Sequence, residues 1–327
     1  MAERKSGHSG AVETILPFER HLLELEDKIR SSDSEEERVK LERELQKERE
    51  SVYPNLSAWQ RVQLARHAMR PRMLDYTSRI FDDVFELHGD RALGDDAAMV
   101  TGIARFQGRT VMIVGQQKGV STEEKVSRNF GMAHPEGYRK ARRLFKMAER
   151  LRLPVISFVD TPAAHPGIEA EQHGQGPAIA QSILQCLNTR TPTMAAVLGE
   201  GGSGGALAIA VCDYVAMFEY AIYVICPPER CAEILWRDVE KKDMAASALR
   251  VTAGDLQDLG VIDAVMPEPG GGAHRNPDAA AQVLATEIDR FLLGCQQGRW
   301  NIERRRRKFQ RMGVWYEELA NVREAVD

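Results

Sequence analysis

The segment Leu198-Gly199-Glu200-Gly201-Gly202-Ser203-Gly204-Gly205-Ala206-Leu207-Ala208 decides how this chain is read. The apolar run 192–198 before it has the length and composition of a buried strand. The small-residue run 206–211 after it reads as a tightly packed helix. Five glycines within residues 199–205 join the two. Glycine lets a backbone turn sharply and approach a ligand closely. The first N–H groups of the following helix lack intrahelical acceptors and point into the junction. Such a helix start attracts anions and stabilises negative charge that develops on an oxygen during a reaction. Close helix–sheet packing is the competing use of the same glycines; their density at a strand-to-helix junction favours a site. No Gly-Lys-Ser/Thr follows, so the junction is not a P-loop. The spacing Gly199-x-Gly201-x-x-Gly204 matches a dinucleotide fingerprint, but it lies deep in the chain and lacks a ribose-binding acid in context.

Outward from the junction, strand and helix patterns alternate. Strands are expected at 99–106 and 110–115 around Gln107-Gly108, and at 155–159, 214–218, 222–225 and 261–266. Helices are expected over 57–69, 77–88, 135–151, 176–187, 231–236, 244–249, 253–259 and 277–293. Ser57 and Gln60 have capping-box spacing. This order predicts an α/β protein with a largely parallel sheet. Two of its strands, ending at Val159 and Leu198, run into glycine- and proline-rich loops, and ligands of open α/β sheets bind at such carboxyl ends. Residues 1–14 are small and polar and read as a disordered tail. Residues 15–55 read as a helical hairpin, with Leu22, Leu25 and Ile29 on one face and a capping pair at Ser34 and Glu37.

The chain has 327 residues and a net charge of −4, with 43% hydrophobic and 28% charged residues. That balance is ordinary for a globular protein and gives no pull toward nucleic acid or membrane. Five cysteines form no CxxC pair and fall mostly in apolar segments. They fit buried thiols of a reducing compartment and argue against a metal in this chain. No run is long enough to span a bilayer and the first ten residues lack a signal-like apolar core, so the expected location is the cytoplasm.

Motifs spread across residues 17–312 include Leu64-Ala65-Arg66-His67, Gly89-Asp90-Arg91, Arg128-Asn129-Phe130-Gly131-Met132, Asp160-Thr161-Pro162, the glycine segment 199–208 and Gly271-Gly272-Ala273-His274-Arg275-Asn276-Pro277. Together they make the chain resemble the alpha-subunit family of the bacterial acetyl-coenzyme A carboxylase carboxyltransferase. The resemblance implies a ClpP/crotonase-like spiral of ββα units, with the N-terminal helical hairpin attached. It assigns 56–298 to the carboxyltransferase domain and 299–327 to a charged helical tail. It implies transfer of a carboxyl group from carboxybiotin, held on the biotin carboxyl carrier protein, to acetyl-CoA, giving malonyl-CoA for fatty acid synthesis. The implied partners are a zinc-containing beta subunit in an α2β2 complex, the carrier protein, and biotin carboxylase. The implied oxyanion hole is the backbone N–H pair of Gly204 and Gly205, with Gly201, Gly202, Ala163, Ala164 and His165 bordering biotin. Two segments depart from the family pattern: Ala163-Ala164-His165 where Gly-Ala-Tyr is usual, and Cys226-Pro227-Pro228-Glu229-Arg230-Cys231, with Pro228 and Arg230 in unexpected places.

Other readings stay open. A crotonase-type acyl-CoA hydratase or isomerase needs a carboxylate pair for proton transfer, and Glu200 and Glu169 are the candidates near glycine loops. A weakened scaffold subunit is the reading in which the departures matter. Lys118 is expected to be an exposed lysine, His165 a solvated loop residue, and His274 and Arg275 structural residues at a helix start. The run Arg304–Lys308 is expected to be a solvated helix face. Gly205→Val is expected to spare folding while slowing transfer.

Overall fold

The apolar runs pair into one eight-stranded sheet in the computed structural model, which describes residues 15–313. The strands are β1 (Asp83–Glu86), β2 (Met99–Phe106), β3 (Arg109–Gln116), β4 (Val155–Thr161), β5 (Thr193–Gly202), β6 (Tyr214–Phe218), β7 (Ile222–Val224) and β8 (Ala264–Met266). Their order is β1-β2-β3-β4-β5-β6-β8, with β7 paired to β5 outside that path. β1, β2 and β3 are antiparallel; from β3 onward the pairing is parallel. The β2–β3 turn puts Gln107 at φ 46° and Gly108 at φ 76°, the two positive values that a two-residue hairpin requires. The helix Pro135–Leu151 precedes β4 and buries Tyr138, Leu144 and Phe145 against the sheet.

β5 is the pivot of the sheet. Its first half pairs with β6, from Met194 opposite Tyr214 to Val197 opposite Met217. Its last three residues leave β6 and pair with β7, from Glu200 opposite Ile222 to Gly202 opposite Val224. On the other side the β4 register slips between Val159 and Thr161, so that Thr161 faces Gly201. All ten residues of β5 are buried. One strand thus pairs with β6 and then β7, and ends one residue before the exposed Ser203.

Three expected elements differ in the structure. The helix expected over 77–88 is instead the helix Met73–Ile80 followed by β1. Ile80, Phe81, Val84 and Leu87 have helical spacing, but residues 83–86 meet the free edge of β2, and that distant pairing overrides the local period. The glycine segment is also not a loop. β5 runs to Gly202 and the helix Ser203–Ala210 begins at the next residue. The capping box at Ser57 and Gln60 is present, with hydrogen bonds of 3.2 and 2.8 Å, but its helix ends at Ala65 rather than Met69.

The helices Arg20–Ser31 and Glu35–Val52 form the hairpin and bury Leu22, Leu25 and Leu45 with Tyr53, Leu64 and Tyr220 in a satellite core. Ser34 caps Glu37 N, but the Glu37 carboxylate accepts from Ser32 instead of closing the box. Buried Glu19 ties this hairpin to the main body. It accepts from Tyr53 Oη at 2.7 Å and from Arg275 Nε at 3.1 Å, and lies 3.1 Å from His274 Nε2. Burial raises its pKa, but His274, Tyr53 and Arg275 together hold the carboxyl at about 2. His274 and Arg275 are therefore structural, as expected. Glu19, His67 and His274 bring three potential ligand atoms within 4.8 Å of one another. The carboxylate is already engaged by an arginine, which makes the cluster a hydrogen-bonded lock. The expected tail at 1–14 lies outside the described residues. Among the described residues no helix is long and apolar enough to cross a membrane.

Candidate active site at the glycine elbow

The β5-to-helix junction is a strained elbow. Ser203, the first helical residue, has φ 54°, a left-handed value uncommon for a residue with a side chain. Ser203 is exposed and Gly204 half-buried, so the elbow opens to the surface. Gly202 occupies the N-cap without a side-chain cap. The first N–H groups of the helix are thus left for an outside acceptor.

The glycines are needed here for space rather than for backbone freedom. None of Gly201, Gly202, Gly204 and Gly205 has a positive φ. A Cβ on Gly202 would stand 1.8 Å from Pro162 O, and one on Gly205 2.6 Å from Ala164 N and 2.8 Å from Ala163 C. At Gly201 it would meet the Tyr223 ring at 2.8 Å. The ends of β4 and β5 are therefore pressed backbone to backbone. This brings residues 162–164 against residues 202–205, and the two sequence-assigned segments lie together. The buried Tyr138 hydroxyl fills the remaining side, 3.0 Å from that Gly205 position, and has no hydrogen-bond partner among the described residues.

The segment after β4 is tied down. Thr161 Oγ1 donates to Ala163 O at 2.7 Å, and Gln175 Nε2 donates to both Ala133 O and His165 O at 2.9 Å. His165 is not a freely solvated loop residue. Its Nδ1 lies 2.8 Å from Asn129 Nδ2 and its ring packs on His134 at 4.3 Å. Burial and the His134 ring both push its pKa down, which favours the neutral imidazole. Ala163 has no positive φ, so this departure from the family pattern carries no backbone strain.

A charged network lies directly under the elbow. Lys118 after β3, Asp160 on β4 and Glu200 on β5 meet at the carboxyl ends of three consecutive parallel strands. Lys118 Nζ is 2.8 Å from Asp160 Oδ1 and 2.7 Å from Glu200 Oε2. Arg66 donates to Glu200 Oε1 at 2.6 Å and also pairs with Glu229. Glu200 N donates to Asp160 Oδ1 at 3.0 Å. Buried Gln116 completes the frame: its Nε2 donates to Gly205 O at 2.9 Å while its Oε1 accepts from Asp160 N at 3.1 Å. The helix start is thereby fixed relative to both strands.

Sequence reasoning missed this frame. Lys118, expected to be an exposed lysine, is largely buried in an ion-pair cluster. A lysine just beyond a buried strand, with an acid at the end of each of the next two strands, was the available signal. Pro228 fits the first position of the helix Pro228–Trp236, and Arg230 points outward to pair with Glu233 on the next turn.

Burial raises the pKa of Glu200, but Lys118 and Arg66 outweigh it and hold the carboxyl at about 2. A group depressed in the native state stabilises the fold above its unfolded pKa and loses that contribution as pH falls through its native pKa. Glu200→Gln should therefore destabilise the chain at pH 7 by on the order of 3 kcal/mol. The gap should close as pH drops from about 4.5 toward 2. Urea unfolding of both proteins at several pH values checks this, and a gap that is constant with pH would contradict it. The same depression makes Glu200 a poor general acid near neutrality. Glu169 is exposed on the short helix Ile168–Gln172, and no hydrogen bond or ion pair joins it to Glu200 among the described residues. The carboxylate pair of a hydratase is not assembled here. Ser203 has the position of a nucleophile elbow, but no imidazole is hydrogen-bonded to its hydroxyl among the described residues.

The fold is shared by solved crotonase-like carboxyltransferases. The transcarboxylase 12S core, solved with methylmalonyl-coenzyme A, superposes with a TM-score of 0.53 at 23% identity, over 66% of this chain and 42% of that one. A chain of a Pseudomonas malonate decarboxylase hetero-tetramer, in complex with coenzyme A, gives 0.58 at 17% identity, over 77% of this chain and 97% of that one.

Within that class the chain belongs to the acetyl co-enzyme A carboxylase carboxyltransferase-like family, which matches residues 14–313. The acetyl-coenzyme A carboxylase carboxyl transferase subunit alpha of Geobacter metallireducens is 50% identical over 312 residues, covering 92% of this chain and 98% of that protein. The same subunit of Halorhodospira halophila is 52% identical over 279 residues, covering 83% and 88%. Family membership implies acyl-CoA substrates, a biotin-carrying partner and a beta subunit.

Proposed function

We propose that this chain is the alpha half of an acetyl-CoA carboxylase carboxyltransferase and that its elbow receives biotin. The observation that carries the reading is the uncapped helix start at Ser203–Gly205, open at the surface and fixed from below by Gln116. Biotin, carried by the biotin carboxyl carrier protein, supplies the transferable carboxyl group. The elbow fits it: Gly204 has room on its open side, and the amides are donors whose protonation never changes. The Gly204 and Gly205 N–H groups stabilise negative charge on the ureido oxygen as the carboxyl group departs. Gly201 and Gly202 let the backbone close on that point, and Ala163, Ala164 and His165 form the facing wall. Lys118, Asp160 and Glu200 act as positioning residues.

The acceptor is acetyl-CoA and the product malonyl-CoA. A zinc-containing beta subunit provides the second oxyanion hole, in an α2β2 complex that works with biotin carboxylase in the cytoplasm. Co-expression with the beta subunit, followed by malonyl-CoA decarboxylation with biocytin as acceptor, tests the reading. Activity is expected in the complex alone. Full activity in the isolated chain, or an assembled complex that is inert, would sink it.

A further inference from the structure

At the opposite end of the sheet lies a basic cavity that the transfer reaction does not use. Residues 299–311 carry seven arginines and lysines and one acid in a chain whose net charge is −4. Arg304, Arg307, Lys308 and Arg311 recur at i, i+3, i+4 and i+7 along the helix Ile302–Gln310 and its C-cap, which places them on one face. That face and Arg299 line a cavity of about 510 Å³.

The geometry is built rather than incidental. Buried Arg305, on the other side of the helix, anchors it to the body. Trp300 holds two of the cations in place, with the guanidinium of Arg304 5.3 Å and that of Arg299 5.9 Å from its ring centre. The two carboxylates of the cavity are already engaged, Asp213 by Arg305 and Asp263 by Lys308. Arg299, Arg304, Arg307 and Arg311 are exposed, and none pairs with a carboxylate among the described residues. Like charges at i, i+4 repel, so an anion bridging them relieves a cost already present in the fold. The Asn301 side chain caps the helix N-terminus at Arg304 N, so the recognition rests on side chains.

Asp213 and Asp263 immediately precede β6 and β8, whereas the elbow follows β5, which runs parallel to β6. Ten residues of strand span roughly 33 Å. The cavity is therefore remote from Gly204 and Gly205.

We propose that this cavity binds a compact polyphosphate, meaning two or more linked phosphates, either free or as the chain of a nucleotide. Guanidinium groups recognise phosphate oxygens through paired, charge-assisted hydrogen bonds, and four of them fit a linked anion better than a single one. The full-length chain, alone and in its complex with the beta subunit, is titrated with inorganic triphosphate and with ATP by calorimetry, without divalent cations. Saturable binding that weakens with added salt is expected. Equal affinities identify the phosphate chain as the whole determinant; tighter ATP binding identifies a nucleotide.

Arg304→Gln with Arg307→Gln should weaken binding at least about tenfold. Arg299→Gln with Arg311→Gln serves as a second variant should the first misfold. Triphosphate should also raise the melting temperature of the wild type more than that of either variant. Trp300 emission should change on binding, and Trp300→Phe should abolish that change. Absence of saturable binding, or unchanged affinity in both variants, overturns the proposal. Tighter binding of a short single-stranded RNA, lost in the same variants, overturns it in favour of nucleic acid.

Discussion

Replacing Arg305 by methionine is expected to destabilise the folded chain by about 3–5 kcal/mol, the usual cost of removing one partner from a buried ion pair. Arg305 is fully buried, although it lies in a run of five consecutive basic residues. Its Nη1 donates to Cys186 O at 2.6 Å and Thr189 O at 2.7 Å, and its Nη2 to Thr191 O at 3.0 Å and to the Asp213 carboxylate. Asp213 is itself buried and accepts from Thr193 N at 2.8 Å, at the start of β5. Methionine would match the length of the side chain but leave three carbonyls and one carboxylate short of donors. Lysine restores charge without the planar fork and should recover only part of the loss. Urea unfolding of the three proteins measures the effect, and a change below about 1 kcal/mol for methionine would show that the network is not the anchor of this helix.

Gly205→Val carries the second large effect, on both rate and folding. From the sequence alone the variant is expected to fold and only to transfer slowly. The structure corrects this, because the new Cβ would meet two backbone atoms, Ala164 N at 2.6 Å and Ala163 C at 2.8 Å. Neither can rotate away. Either the helix start or the segment 162–165 must move, and each movement displaces the donors at the elbow. Loss of one oxyanion donor costs about 10²–10³ in rate, and overpacking adds about 1–3 kcal/mol of destabilisation. The variant should be at least about 100-fold slower in the complex and should melt earlier. Gly204→Ala separates the two effects. Its Cβ would lie 3.4 Å from Ile179 Cγ2, a side chain that can yield, so folding should be intact. A Gly205→Val complex with near-normal turnover would remove the elbow from the reaction.

Much of the candidate site was legible because its residues are contiguous. The glycine density at 199–205 marks a strand-to-helix junction in any reading, and the motifs from Leu64 to Pro277 carry the family. The supporting frame was not legible. Lys118, Asp160 and Glu200 are separated by about forty residues each, and only the parallel pairing of β3, β4 and β5 places them side by side. Arg305 shows the same limit from the other direction. It sits among four other cations, and only the fold turns it inward to Asp213 and three backbone carbonyls.

By itself the sequence determined the α/β class, the helical hairpin, the glycine junction and the family, because each depends on local composition or on nearby spacing. Tertiary structure decided that residues 83–86 form an edge strand, because the free edge of β2 outweighs their helical period. It decided that the glycines serve close packing beside an exposed helix start, because the ends of β4 and β5 touch backbone to backbone. It also decided which cations are buried. A charge run reads as solvated until the fold turns one of its members toward a carboxylate, and that choice depends on partners far away in the chain.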